Sequence, residues 1–309
     1  MGQTIAEKII AQAANRDTVS PGEIVTCVVD LAMIHDSGGP RRVKPILDKL
    51  KVGVWDASKI VLISDHYAPC VDAESAAILK LTREWAEEHE IKNFYDQQGI
   101  CHVVTPERGH LRPGMFAVGG DSHSPTGGAF GAYMFGIGAT DMAGVLATGK
   151  TWIRVPHTIS INWTGAMGVG VAAKDMALKM CAVLGMDGGD YQAIQYTGQA
   201  VKSLDMMERM TLCNMAAELS AQTGIIEPDE VTTHYLVEAG VVPGEWQSFD
   251  IIFNAPMFNG DGRLVKHAYL TVFHNGVLVQ NNVQIQGYVK FIGYPEYKAH
   301  PSRLPIKLQ

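Results

Sequence analysis

The strongest constraint on this chain is a rhythm. From Gly22 to about residue 240, short apolar runs alternate with stretches of helical periodicity, and the runs break off into polar loops. "GEIVTCVVDLAMI", "ASKIVLISDH", "GICHVVTPE", "GMFAVGGDSH" and "HTISINWTG" read as strands. "AESAAILKLTREWAEEHE", "AKDMALKMCAVLG" and "SLDMMERMTLCNMAAELSAQTG" read as helices, the last capped at Gly224, and "MGQTIAEKIIAQAANRD" reads as an amphipathic helix. Strand, loop and helix in turn predict an α/β fold on a largely parallel sheet. Ligands of such sheets gather beyond the carboxyl ends of the strands.

The character changes near Pro243. "EWQSFDIIFNAPMFNGDGRLVKHAYLTVFHNGVLVQNNVQIQG" alternates apolar and polar residues with period two, and "NGDG" and "HNG" are turn signals. An antiparallel β segment of about four strands is expected there, too few for a full sandwich. The expected domains are residues 1–240 and 241–309.

Apolar residues make up 47% of the 309, enough for a substantial core, and 18% are charged, which argues against a disordered chain. A net charge of -7 gives no electrostatic reason to expect nucleic acid or an anionic membrane as partner. No apolar stretch reaches the roughly 18 residues of a membrane span, and the N-terminus lacks a signal core. Cys27, Cys70, Cys101, Cys181 and Cys213 are odd in number and widely spaced, with no C-x-x-C. That suits a reducing compartment, and a cytoplasmic location is expected. No local set of cysteines offers itself to a metal.

Polar groups concentrate at the predicted strand ends. "GGDSHSPTGGAFGAYMFGIGATD" sets Asp121, Ser122 and His123 after a strand and two glycines, with Pro125 placed to start a helix. The backbone N–H groups of a helix start favour an anion. An ordinary strand–loop–helix junction fits the composition equally well. A nucleophilic serine is a weaker reading, because "GDS" does not complete a G-x-S-x-G elbow. "ISDHYAPC" brings Asp65 and His66 together, and a carboxylate beside an imidazole fixes its tautomer and raises its basicity. "AMIHDSGGP" adds His35 and Asp36, and "GICHVV" places His102 in an apolar run, where a satisfied core histidine is the plainer reading. Asn214 and Glu218, four apart, share a face of an otherwise apolar helix and need partners there. Arg108, His110 and Arg112 could meet a carboxylate, but a solvated loop explains them as well.

Taken together, "VVDLAMIHDSGGP", "ISDHYAP", "GICHVV", "GDSHSPTGGAFGAYMFGIGATD", "LATGKTWIRVPHTISINWTG" and "MERMTLCNMAAELSAQTGIIEPDE" resemble, in order, the aconitase and isopropylmalate dehydratase superfamily, and its isopropylmalate and homoaconitate dehydratase large subunits most. The resemblance implies α/β/α domains and a hydro-lyase that reversibly dehydrates a 2-hydroxy di- or tricarboxylic acid. It implies a [4Fe-4S] cluster whose open iron acts as Lewis acid on the substrate. Asp65 and His66 would then assist departure of the hydroxyl, with Asp121, Ser122 and His123 doing related proton and water work. His102 would hydrogen-bond substrate or water. Asn214 and Glu218 would line the site, and His35, Asp36 and Asn214 would bind substrate.

The resemblance ends near Gly240. The family's cluster cysteines, one in a "SCTN"-like stretch and two in a C-x-x-C, have no counterpart here, so no cluster ligand is expected from this chain and its own turnover is expected to be impaired. The family's swivelling domain, which carries its base serine and substrate arginines, would come from a separate small subunit. "GEWQSFDIIFNAP", "TVFHNGVLVQNNVQIQG" and "YKAHPSRLPIKLQ" resemble instead the last strands of the 3-keto-disaccharide hydrolase family, a concanavalin-like sandwich. A join of two unrelated segments is therefore expected. The alternatives are a glycan-acting or glycan-binding protein through the β segment, or a non-catalytic carboxylate-binding subunit.

Overall fold

Thr4 starts the first helix. Its hydroxyl accepts from the Glu7 N–H and the Glu7 carboxylate accepts from the Thr4 N–H, a reciprocal cap that satisfies two N-terminal donors. The structure is a computed structural model describing residues 2–239, 249–274 and 277–285. Contacts divide the chain into two units, residues 1–241 and 242–309.

In the first unit the order is α1 (Ile5–Ala13), β1 (Ile24–Val28), β2 (Leu31–His35), α2 (Pro40–Leu50), β3 (Ile60–Ser64), α3 (Ala73–Glu88), β4 (Asn93–Asp96), α4 (Cys101–Glu107), β5 (Phe116–Gly119), β6 (Tyr133–Gly136), α5 (Ala139–Thr148), β7 (Lys150–Arg154), β8 (Thr158–Asn162), α6 (Ala173–Leu184), β9 (Ala193–Thr197), α7 (Gln199–Lys202), α8 (Met206–Asn214), β10 (Thr223–Ile226) and α9 (Glu230–Ala239). Short 3₁₀ helices occupy Ser124–Phe130 and Met215–Leu219. The fold class is α/β, as the alternation predicts.

The main sheet is parallel, in the order β4-β3-β2-β5-β6. All five residues of β2 are buried, because both faces are covered. Ala32 and Ile34 face one core with Ile60, Leu62, Phe116 and Val118, packed under α1, α2 and α5. Leu31 and Met33 alternate to the other core with Val61, Ile63 and Ala117, under Phe130 and α8. The strand order reverses between β2 and β5, so the crevice that this topology opens lies beyond His35 and Gly119. A second parallel sheet runs β10-β9-β8. β1 and β7 form an antiparallel ribbon.

Three sequence expectations change. "GEIVTCVVDLAMI" is two strands, because Asp30 turns the chain between them. Its N–H donates to the Phe116 carbonyl and its carboxylate accepts from the Phe116 N–H, both at 2.9 Å. "GICHVVTPE" is the helix α4: the Asp65 carboxylate accepts from the Cys101 N–H at 2.7 Å, and the buried residues Cys101, Val104 and Thr105 fall at helical spacing. The helix expected to run to Gly224 stops as α8 at Asn214 and a 3₁₀ turn at Leu219. Ser220, with φ 56°, closes it, and Gly224 lies inside β10.

Gly224 matters for its backbone. A Cβ on Gly128 would overlap the Gly224 carbonyl oxygen and stand 2.8 Å from its carbon, so the small residues of the 3₁₀ helix exist to let it lie on β10. Gly128→Ala is expected to cost about 3 kcal/mol, the upper end for overpacking, because the obstacle is backbone. A fall in the urea midpoint with unchanged slope is the corresponding observation.

In the second unit, β11 (Phe249–Asn254), β14 (Ala268–His274) and β15 (Val277–Ile285) form an antiparallel sheet in the order β11-β14-β15, and β12 (Met257–Phe258) pairs with β13 (Leu264–Lys266). The antiparallel strands expected there are present. "YKAHPSRLPIKLQ" lies outside the described residues. Among the described residues, no helix is long and apolar enough to cross a membrane.

Candidate active site

Three strand ends meet at the switch point. β2 delivers His35 and Asp36, β3 delivers Asp65 and His66, and β5 delivers Asp121, Ser122 and His123. α4 adds His102, and the end of α8 with its 3₁₀ extension adds Asn214 and Glu218.

Asp121 is the hub. Its Oδ1 accepts from His102 Nε2 at 2.9 Å and from the His123 N–H at 2.8 Å, and its Oδ2 lies 3.9 Å from His66 Nε2. The His102 bond, aided by the His123 N–H and outweighing the effect of burial, holds the Asp121 carboxyl far below the usual carboxylate range. His66 Nδ1 stands 2.7 Å from Asp65 Oδ1, and this bond raises the His66 pKa against the effect of its partial burial. Burial pushes the Asp65 carboxyl up, but the bonds from His66 and the Cys101 N–H outweigh it and lower it on balance. His123 Nε2 reaches Glu218 Oε1 at 3.3 Å, and Ser122, exposed, puts its hydroxyl 3.3 Å from His123 Nδ1.

The loop itself is tied down by residues that the sequence pattern did not single out. Ser124 donates to the Asp121 carbonyl at 2.6 Å and Thr126 to the His123 carbonyl at 2.7 Å. Thr126 in turn accepts from Asn214 Nδ2 at 2.9 Å, so Asn214 braces the loop. The readable signal was a hydroxyl residue three positions after each of these carbonyls.

Three of the expected site residues are engaged within the protein. Asp36 is fully buried rather than open to a substrate: its oxygens accept from the N–H groups of Ser37 at 2.9 Å, His66 at 3.1 Å and Tyr67 at 3.0 Å, which fixes the Asp65–His66 loop. His35, 3% exposed, is likewise inside. His102 spends its Nε2 on Asp121 instead of reaching outward. His110 belongs to another cluster, bonded at 2.6 Å to the Tyr95 hydroxyl beneath Arg108.

His35, Asp36, Asp65 and His66 bring four donor atoms within 4.8 Å. They do not form a metal cage: Asp36 and Asp65 accept the hydrogen bonds just described, and the two imidazoles stack face to face at 4.0 Å, so their lone pairs do not converge. A [4Fe-4S] cluster fits no better. Its donor set would be three thiolates. Cys27, Cys101 and Cys213 are buried, Cys70 is exposed and Cys181 lies between, and none belongs to the one group of metal-binding residue types that converges among the described residues. Burial pushes Cys27 up to about 12 and raises Cys101 and Cys213 further, the reverse of what a thiolate ligand needs.

The linked pKa shifts set a pH window. Asp121 and Asp65 are lowered, so their stabilisation is present above an unfolded value near about 4 and is lost as pH falls through the folded values. His66 is raised, so its contribution is complete below about 6.5 and is lost as pH rises through its folded value. Urea midpoints measured against pH should therefore peak between about 4 and 6.5 for these groups, and Asp121→Asn should make the acid limb shallower.

Known proteins match most of this chain. The model of the aconitase family (aconitate hydratase) matches residues 7–248. A 3-isopropylmalate dehydratase large subunit of Methanopyrus kandleri is 48% identical over 76% of this chain and 56% of its own length. A probable methanogen homoaconitase large subunit of Methanothermobacter thermautotrophicus is 46% identical over 75% and 55%. The chain thus spans little more than half the length of these relatives. Among solved structures, Thermococcus kodakaraensis aconitase X gives a TM-score of 0.39 at 12% identity, over 73% of this chain and 61% of that one. A candidate glycosyl hydrolase from Parabacteroides distasonis gives 0.18 at 45% identity, over 19% and 25%. Neither superposition is close enough to carry a structural argument. The family match and the curated relatives suffice: with its strand-end histidines and carboxylates set in that family's sequence, the chain belongs to the aconitase family.

Proposed function

We propose that the first unit carries the proton-handling side of a hydro-lyase acting on a 2-hydroxy di- or tricarboxylic acid of the isopropylmalate or homocitrate type. The observation that carries the reading is the convergence of His66, His102 and His123 on the one carboxylate of Asp121 at the switch point of the sheet. Dehydration requires a proton for the departing hydroxyl. His66 is built to hold one: Asp65 engages Nδ1, which leaves Nε2 on the Asp121 side as the donor. His123, between Asp121 and Glu218, can pass a proton or orient water. Asp36, His102 and Asn214 position these groups. The imidazolium of His66 also offers positive charge to the substrate's carboxylates.

The family's [4Fe-4S] cluster would supply Lewis-acid chemistry, but the cysteines of this chain do not form its donor set, and no step is derived through it. Relatives bearing the words "large subunit" imply a small-subunit partner, and we assign one to this chain as well. Binding of the acid without turnover is the expected behaviour of the chain alone. Anaerobic reconstitution with iron and sulfide, followed by iron and sulfide analysis and a hydration assay, tests this. Stoichiometric cluster retention with turnover would overturn the expected lack of activity. Absence of both, with the acid still bound, favours a carboxylate-binding subunit whose catalysis needs other chains.

A further inference from the structure

The imidazole of His35 touches all three strand ends at once. It sits at the end of β2. Its Nε2 lies 3.1 Å from the Gly120 carbonyl beyond β5, and its face stacks on His66 beyond β3, with ring centroids 4.0 Å apart and planes 11° from parallel. Its Nδ1 accepts from the Gly38 N–H at 3.3 Å. A carbonyl can only accept and an N–H can only donate, so the two bonds together require a neutral ring with its proton on Nε2. The surrounding backbone is fitted to this ring. A Cβ on Gly38 would come within 3.2 Å of His35 Cε1 and 3.0 Å of the Gly120 oxygen, and one on Gly39 would come 2.5 Å from the His35 carbonyl oxygen.

We propose that His35 is a positioning residue: a neutral aromatic plate, locked between Gly38 and Gly120, that holds the His66 ring in the plane from which it bonds Asp65 and faces Asp121. His66 has no other stacking partner among the described ring contacts, and its side chain is 37% exposed, so without the plate the bond to Asp65 is left as the main restraint on its turn about χ2. The charged groups facing His35 are His66, Asp65 and Asp121, with Asp36 next in the chain. Burial, followed by the charge of His66, disfavours a second imidazolium in the stack, which keeps the plate neutral while His66 carries the proton. The inference rests on the reading of His66 as the proton-holding group of the proposed hydro-lyase.

The test is imidazole NMR of the intact chain with isotopically labelled histidine, titrated between about pH 5 and 8. His35→Leu, His35→Phe and His66→Gln assign the signals. In the unaltered chain, His35 should stay neutral with its proton on Nε2 throughout, and His66 should titrate above about 6.5. His35→Leu should bring the His66 midpoint down by about half a unit or more towards the ordinary value, whereas His35→Phe, which keeps the stack, should hold it. A His35 proton on Nδ1, an ordinary His35 titration, a His66 midpoint unmoved in His35→Leu, or an equal fall in both variants would overturn the proposal. Should His35→Leu fail to fold, the wild-type tautomer and His35→Phe decide it. The readout needs neither substrate nor turnover, so a failed hydro-lyase assay and a failed positioning role are distinguishable.

Discussion

Asp121→Asn should leave the first unit folded but take the centre out of its site. The amide keeps one oxygen for the His123 N–H and loses the charge shared by His102, His66 and His123. A hydrogen bond to a charged group contributes about 1.5–3 kcal/mol, and Asp121 is only 20% exposed at its side chain, so a stability loss of that size is expected. In an assembly complete for catalysis, turnover should fall by about 10²–10⁴, the usual weight of a positioned acid–base group. The paired measurements are urea unfolding and kcat with substrate in excess. An unchanged kcat would remove Asp121 from the chemistry, even if stability fell.

Asp229→Ala should have a large effect on stability, far from the site. Arg209 is fully buried, and both Asp229 oxygens lie 2.7 Å from its guanidinium nitrogens. The Leu204 carbonyl at 3.1 Å, the Lys202 carbonyl at 3.3 Å and the Thr232 hydroxyl at 3.3 Å also accept from it but do not neutralise it. Removing Asp229 leaves a buried cation uncompensated, a loss of about 3–5 kcal/mol, and the 38% exposure of the Asp229 side chain places it at the lower end. A second change, Arg209→Met, should recover part of the loss, because it removes the stranded charge. A double-mutant cycle by urea unfolding checks both statements. Additive losses would show that the pair is not coupled.

Much of this site was legible because chemistry and topology coincide. Asp65–His66 and Asp121–Ser122–His123 follow apolar runs that are strands, and the ends of parallel strands are where ligands gather. Asn214 and Glu218 stood out as polar groups on an apolar face, and both do find partners in the Asp121 loop. Direction was not legible. Whether Asp36 faces solvent or its own backbone depends on the turn at Gly38 and Gly39, and period alone does not describe that turn. α4 was misread because a short run such as "CHVV" fits strand and helix equally, and the cap that decides the matter, Asp65, lies 36 residues away. The end of α8 was misread because Gly224 looks like a cap, whereas it lies in β10, where a Cβ would stand 2.9 Å from the Tyr196 ring and 3.0 Å from the Ala216 Cβ.

The central claim is that the strand-end histidines of the first unit form a binding site for a hydroxy acid. Calorimetric titration of the purified chain with 3-isopropylmalate, homocitrate and citrate addresses it most directly. Saturable binding of at least one acid is predicted, weakened about tenfold or more in His66→Ala and in His123→Ala, as expected for losing a hydrogen bond to a charged group. Binding of none of the three, or equal binding in both variants, would contradict it.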